Sequence, residues 1–322
     1  MKKQISKWLS IVLPIALGVF LIVYTYNKFT PQQIEEIKSQ FQNANYWYIL
    51  ISLFFGMMAL FSRAYRWSFT LQPLGYKPKL SSNFMAVCIA YFMNMTIPRS
   101  GEVSRALVLK KYEDVPFDKA FGTIIAERIV DFIFLLSFIA LAIVLQYDIF
   151  KKFVLDHLSV KQLGLLAFVA LACFSLALWL YKKSNNKWIL ALKAKLAGLV
   201  EGIQSVLTMK KKSWFIFHSL FIWLCYILMF YVTIFALPET SNLSFNAVLM
   251  AFITGGVAIT VTNSGFGAYP FLISKILLVY AVPETAGNAF GWIVWTSQTL
   301  MIVALGLLSF LILPILHKKQ IN

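Results

Sequence analysis

Acidic residues are scarce: 13 Asp and Glu stand against 29 Lys and Arg in 322 residues, and charged residues of both signs make up only 13% of the chain. A soluble domain typically carries about 25% charged residues, so water is the wrong solvent for most of this sequence. Cysteine is nearly absent. Cys88, Cys173 and Cys225 each stand alone inside an apolar segment, which leaves no disulfide framework and no CxxC metal site. His157, His218 and His317 form no HExxH and pair with no cysteine, so zinc has no ligand set to use. No Walker loop and no Asp-x-Asp pair occurs either, and no cofactor or metal is expected.

What the chain has instead is apolar length. Hydrophobic residues make up 60% of it, mean hydropathy is +0.74, and runs approaching or exceeding the roughly 20 residues that a 30 Å bilayer core requires recur throughout. Spanning helices are expected at 9–26, 46–62, 123–145, 163–181, 214–237 and 288–313. The chain therefore reads as an all-α polytopic membrane protein, one integral membrane domain over 1–322 with six to eight crossings. The formal net charge of +16 sits in loops between apolar runs, which fits positive-inside topology rather than nucleic-acid binding. The N-terminal run follows Lys2, Lys3 and Lys7 and ends in Tyr24, Tyr26 and Asn27 with no small-residue cleavage site, so it is expected to be retained as the first helix.

Loop charge constrains the topology. The segment 182–212 carries eight lysines against Glu201 and is expected to be cytoplasmic, as are the N-terminus and a second loop marked by Arg63, Arg66, Lys77 and Lys79. A full crossing at 82–97 would put the lysine-rich loop outside. A re-entrant hairpin over 82–111, turning near Pro98, returns it inside together with Lys318 and Lys319. The region 245–281 reads either as a second hairpin, turning at Asn263-Ser264-Gly265-Phe266-Gly267, or as two full crossings. The hairpin reading makes two inverted repeats, 1–146 and 162–315, a plan known among transporters. Both termini are then cytoplasmic in a multi-pass inner (cytoplasmic) membrane protein.

Two stretches read as amphipathic helices. Thr30 precedes Pro31, with Gln33 at the capping-box position and Ile34, Ile37 and Phe41 on one face. The stretch 188–207 also has apolar residues at helical spacing, suited to the interface or to packing against neighbours.

The chemistry concentrates in Asn94-Met95-Thr96-Ile97-Pro98-Arg99-Ser100-Gly101-Glu102-Val103-Ser104-Arg105, followed by Glu127-Arg128 and Asp131. Ionisable side chains near bilayer depth cost a few kcal/mol each, tend to be paired and mark pathways or sites. On helices Glu102 and Arg105 share a face, as do Glu127 and Asp131. A helix opening at Ser100 and Gly101 would aim its backbone N–H groups at the turn, an anion site in outline with Arg99, while Glu102 orients Arg105 or Arg128. The second turn, with Asn263, Gly265, Gly267 and Tyr269, could present another helix start from the opposite side. The alternative is a salt-bridge cluster that fixes helix register and touches no ligand; Gly265 and Gly267 could equally be packing or turn residues, and Tyr269 part of an aromatic belt.

Pro98-Arg99-Ser100-Gly101-Glu102 with Arg105, then Glu127-Arg128 and Asp131, resemble the Arg-x-Gly-Glu-x-x-Arg and Glu-Arg-x-x-Asp elements of the integral membrane region of lysylphosphatidylglycerol synthases and its free-standing flippase-like relatives. The resemblance spans nearly the whole chain. Gly265-Phe266-Gly267 looks like the family's later motif, which usually reads Pro-Gly-Gly-x-Gly with an acidic residue shortly after; here Pro270 stands near the acidic position. The resemblance implies a lipid transporter more than an enzyme, one that moves a phospholipid or polyprenyl-phosphate head group between leaflets. A membrane-embedded transferase on a lipid-linked donor, or an accessory subunit of an envelope-synthesis complex, are the alternatives. Expected partners are membrane lipids, with a homo-oligomer or an envelope-synthesis partner left open and no nucleic acid.

Overall fold

The computed structural model describes residues 2–98, 100–147 and 208–317, with Ser175, Asn186, Leu190 and Val206. The expected span at 163–181 and the amphipathic stretch 188–207 lie largely outside the described residues, as do Cys173 and His157. The chain divides into two compact units: Met1–Glu127 with Lys210–Asn322, and Arg128–Met209.

The described helices are α1 (Lys2–Lys28), α2 (Pro31–Asn43), α3 (Tyr46–Leu71), α4 (Leu80–Thr96), α5 (Gly101–Tyr112), α6 (Phe117–Leu145), α7 (Lys212–Thr233), α8 (Phe245–Val261), α9 (Ala268–Val279) and α10 (Glu284–Leu316). Among the described residues, four segments are long and apolar enough to cross a bilayer: Tyr46–Leu74, Phe117–Leu145, Lys212–Ala236 and Glu284–Leu316. A fifth results if Val12–Lys28 and Pro31–Asn43, bent by 113°, count as one span. The bend is built by the expected capping box, in which Thr30 Oγ1 accepts from Gln33 N–H and the Gln33 side chain accepts from Thr30 N–H.

In the first unit, α3 and α7 run antiparallel from end to end. Asn45 N–H donates to Ala236 O at one end, Gly56 packs on Met229 midway, and Lys211 reaches the Gln72 side chain at the other. Arg63 and Arg66 were expected in a loop after residue 62, but α3 continues to Leu71 and buries both. They lie three residues apart on its inward stripe, and the first helix breaker is Pro73.

The 12-residue helices α5 and α9 are each about 18 Å long at 1.5 Å per residue, too short for a 30 Å core. Each folds back on its predecessor. Gly101 sits so close to α4 that a Cβ would lie 2.3 Å from Ala90 O, and Gly255 of α8 would place one 2.6 Å from the Tyr269 ring of α9. The region 245–281 is thus a helical hairpin like 82–111.

The long helix α10 acts as a ruler for both hairpins. From its N-terminus, Glu284 pairs with Lys275, Gly287 packs on Ser274, Gly291 on Pro270, and Trp295 Nε1 donates to Ser264 O at 2.8 Å. Further along, Gly306 packs on Phe92, Leu313 joins Met85 and Ile89, and His317 meets Ser82 and Glu113. Hairpin α8–α9 occupies one half of α10 and hairpin α4–α5 the other, opening toward opposite ends. Their tips meet: Asn263 Nδ2 donates to Met95 O at 2.8 Å and Ser264 Oγ to Asn94 O at 3.4 Å. Helix α1 crosses the second tip where Gly18 touches Gly267, a contact so close that a Cβ on Gly267 would lie 2.2 Å from Gly18 O.

In the second unit the structure describes chiefly the C-terminal part of α6, whose apolar side chains, among them Phe132, Leu136 and Val144, are mostly exposed.

Candidate functional site

Most of the sequence-expected residues fall into two places in the first unit. One is the meeting of the hairpin tips. Helix α4 ends at Thr96, and Pro98 prevents its continuation. The expectation was an open α5 N-terminus, but its first N–H, that of Gly101, donates to Asn94 Oδ1 at 2.7 Å. Ser100 does not cap α5 with its side chain; its Oγ donates to Met93 O and Ile97 O at 2.9 and 2.7 Å, tying the turn to α4. Glu102 lies in the first turn of α5, where the helix dipole favours a carboxylate. Arg99 lies outside the described residues.

At the second tip Asn263 and Ser264 hold the backbone of the first, as above. Ser264, Gly265 and Gly267 have φ of 54°, 81° and 68°, so the left-handed backbone of this turn accounts for both glycines. Tyr269 is not at the tip surface; its ring is buried against Gly255 in the apolar core around Phe230, Phe290 and Ile293.

The other place is a charged cluster between α3, α5, α6 and α7. Arg105 Nη1 lies 2.8 Å from Glu127 Oε2, and Arg66 Nε lies 3.8 Å from Glu127 Oε1. Arg66 and Glu127 are fully buried and Arg105 is 2% exposed. The Arg105 guanidinium sits 3.7 Å above the Trp67 ring, whose Nε1 donates to Thr123 Oγ1 at 2.9 Å. Arg66 donates to Ser219 Oγ at 2.8 Å and lies over Phe215. Arg63 reaches the Tyr226 hydroxyl at 3.5 Å, which is hydrogen-bonded to that of Tyr91 on α4. Glu127 therefore holds both Arg105 and Arg66. By helix rise, Arg66 is about 8 Å from the end of α3 and Glu127 about 15 Å into α6, depths at which charge needs the partners it has here.

In the second unit Arg128 and Asp131 face one another across a turn of α6 at 3.9 Å. Arg63, Arg66, Trp67 and Thr123 were missed as site residues. The available signal was Ser62-Arg63-Ala64-Tyr65-Arg66-Trp67, two arginines and an aromatic on a helical period with no break after them.

Chemically, the cluster offers three guanidiniums, planar donors that bind phosphate or carboxylate in pairs, with one internal carboxylate to orient two of them. The tips offer amide and hydroxyl groups at the junction of two half-length hairpins.

Comparison with known proteins places the chain among membrane proteins. The family described as the lysylphosphatidylglycerol synthase TM region matches residues 11–306. The UPF0104 membrane protein MJ1595 of Methanocaldococcus jannaschii is 23% identical over 315 residues, covering 87% of this chain and 88% of that protein. No solved structure matches. With nearly its whole length matched, the chain belongs to the lysylphosphatidylglycerol synthase TM region family, as a polytopic all-α membrane protein.

Proposed function

We propose that this protein moves a phosphate-bearing lipid head group across the inner membrane, with the two hairpins as the moving parts of inverted repeats. The observation that carries the reading is the tip-to-tip meeting of two hairpins that open toward opposite ends of α10. Half-length helices meeting near the middle of the long spans are the arrangement transporters use to place a site at the midplane. The family name supports the substrate class, since lysylphosphatidylglycerol is a phospholipid with one phosphate. The guanidiniums of Arg63, Arg66 and Arg105 supply a chemistry that such a head group recognises.

In the arrangement described, Arg66 and Glu127 are fully enclosed. A head group reaches them only when α5 draws away from α3 and α6, so transport requires a second arrangement of hairpin α4–α5. Without a nucleotide loop, movement runs down a lipid gradient or is coupled to an ion.

The full burial of Glu127 also favours a second reading, in which the cluster only fixes helix register and the tips alone handle lipid. Vesicles carrying the purified protein and a fluorescent anionic phospholipid separate the two. Under the transport-site reading Arg105→Gln slows lipid movement at least tenfold while an equally folded Gly122→Ala control, whose added Cβ meets nothing within 4 Å, retains it. Movement unchanged in folded Arg105→Gln assigns the cluster to register, and no movement above protein-free vesicles for the wild type refutes transport.

A further inference from the structure

A second lipid-sized feature lies toward the opposite end of α10 from the arginine cluster. Helices α1, α2, α9 and α10 enclose a half-open cavity of about 300 Å³, at the lower end of ligand pockets. Its walls are apolar, with Ile22, Phe29, Ile37, Phe41, Phe271 and Trp292 prominent. The amphipathic helix α2 turns Ile34, Ile37 and Phe41 into it and its carboxylates elsewhere: Glu35 pairs with Lys38 at 3.2 Å, and Glu36 lines a separate cleft against Leu237 and Pro238.

Three of the lining residues have a charged residue one helical turn along their own helix. Thr25 is followed by Lys28 on α1, Phe271 by Lys275 on α9, and Asn288 is preceded by Glu284 on α10. These three charges converge. Lys28 Nζ is 3.0 Å from Glu284 Oε2, and Lys275 binds Oε1 of the same carboxylate. Two ammonium groups thus share one carboxylate at the rim, and the lysine side chains remain 44% and 34% exposed. An apolar slot whose rim carries a net positive charge is complementary to a lipid with an acyl chain and an anionic head.

We infer that this groove holds one acyl chain of an anionic phospholipid, whose phosphate is taken by Lys28 and Lys275 at the membrane face where α1 ends. The occupant is a bound lipid of that leaflet, and the site stands apart from the transport reading above. With Glu284 offsetting one of the two ammonium charges, the remaining positive charge gives a preference of about fivefold for an anionic over a zwitterionic head.

The test uses nanodiscs of phosphatidylcholine doped with phosphatidylglycerol carrying a photoreactive acyl chain, or with phosphatidylcholine carrying the same chain, and maps the adducts by mass spectrometry. Adducts on peptides containing Phe29, Ile37 and Phe271 are expected, heavier with the phosphatidylglycerol probe. Lys28→Gln with Lys275→Gln abolishes that preference, Lys28→Arg with Lys275→Arg keeps it, and Ile37→Trp removes groove adducts of both probes. Equal labelling by the two probes in the wild type overturns the head-group assignment. Adducts confined to the outward surface of α1, at Leu13 and Phe20, overturn the groove. Should the double glutamine variant fail to fold, the arginine variant and Ile37→Trp still decide. Vesicle lipid movement is measured alongside, so its failure and the failure of this site are read separately.

Discussion

Replacing Glu127 by Gln keeps the side-chain shape and removes only the charge that Arg105 and Arg66 share, at 2.8 and 3.8 Å. Both guanidiniums are 2% exposed or less, so neither can turn to water when the carboxylate goes. Breaking a buried ion pair from one side costs about 3–5 kcal/mol, because it leaves uncompensated buried charge. A domain of this size loses about 2–4 °C of Tm per kcal/mol, which puts the expected drop on the order of 10 °C. The assay is tryptophan-monitored thermal unfolding of the detergent-purified protein. Arg105→Gln alone should also destabilise, and Glu127→Gln with Arg105→Gln should cost less than the sum of the two, with a coupling of about 1–3 kcal/mol. A Glu127→Gln protein melting within about 2 °C of wild type, or strictly additive variants, would refute the claim that this pair anchors α5 to α6.

Other outcomes follow from the same contacts. Gly101→Ala should separate hairpin α4–α5 and lower Tm, since its Cβ would lie 2.3 Å from a backbone oxygen, whereas Gly122→Ala on the open face of α6 meets nothing within 4 Å and should be neutral or stabilising by about 0.5–1 kcal/mol. Gly267→Ala should be worse than Gly101→Ala, because it adds a left-handed φ of 68° to a 2.2 Å approach to Gly18. Thr30→Ala should cost about 0.5–2 kcal/mol through loss of the cap, seen as earlier proteolysis between α1 and α2. Single cysteines at Lys151, Lys187 and Glu284 in a cysteine-free chain should label from the cytoplasm at Lys187 alone; labelling of Lys151 from the cytoplasm would contradict the re-entrant reading of 82–111.

Features set by neighbouring residues were legible in the sequence. Thr30 and Gln33 announced their capping box, and Pro98 with Ser100-Gly101 announced the first turn, because caps and breaks depend on residues a few positions apart. The charge rule gave the first hairpin, and the second was left open because apolar composition is the same for a short re-entrant helix and a crossing one. Arg63 and Arg66 were misplaced because charge was taken as a loop marker; only their burial against α7 shows why a helix would carry them inward. The pairing of Glu127 with Arg105, 22 residues away, and the tip contact from Asn263 to Met95, 168 residues away, belong to packing alone. No local pattern encodes such pairings.

The central claim is that lipid movement requires the hairpin tips to part. The direct test is Met95→Cys with Asn263→Cys in a chain lacking Cys88, Cys173 and Cys225, reconstituted into vesicles with a fluorescent anionic phospholipid. Oxidation should stop lipid movement and a reductant should restore it, with each single variant indifferent to both treatments. Movement that continues at the wild-type rate while the tips are demonstrably cross-linked would contradict the account.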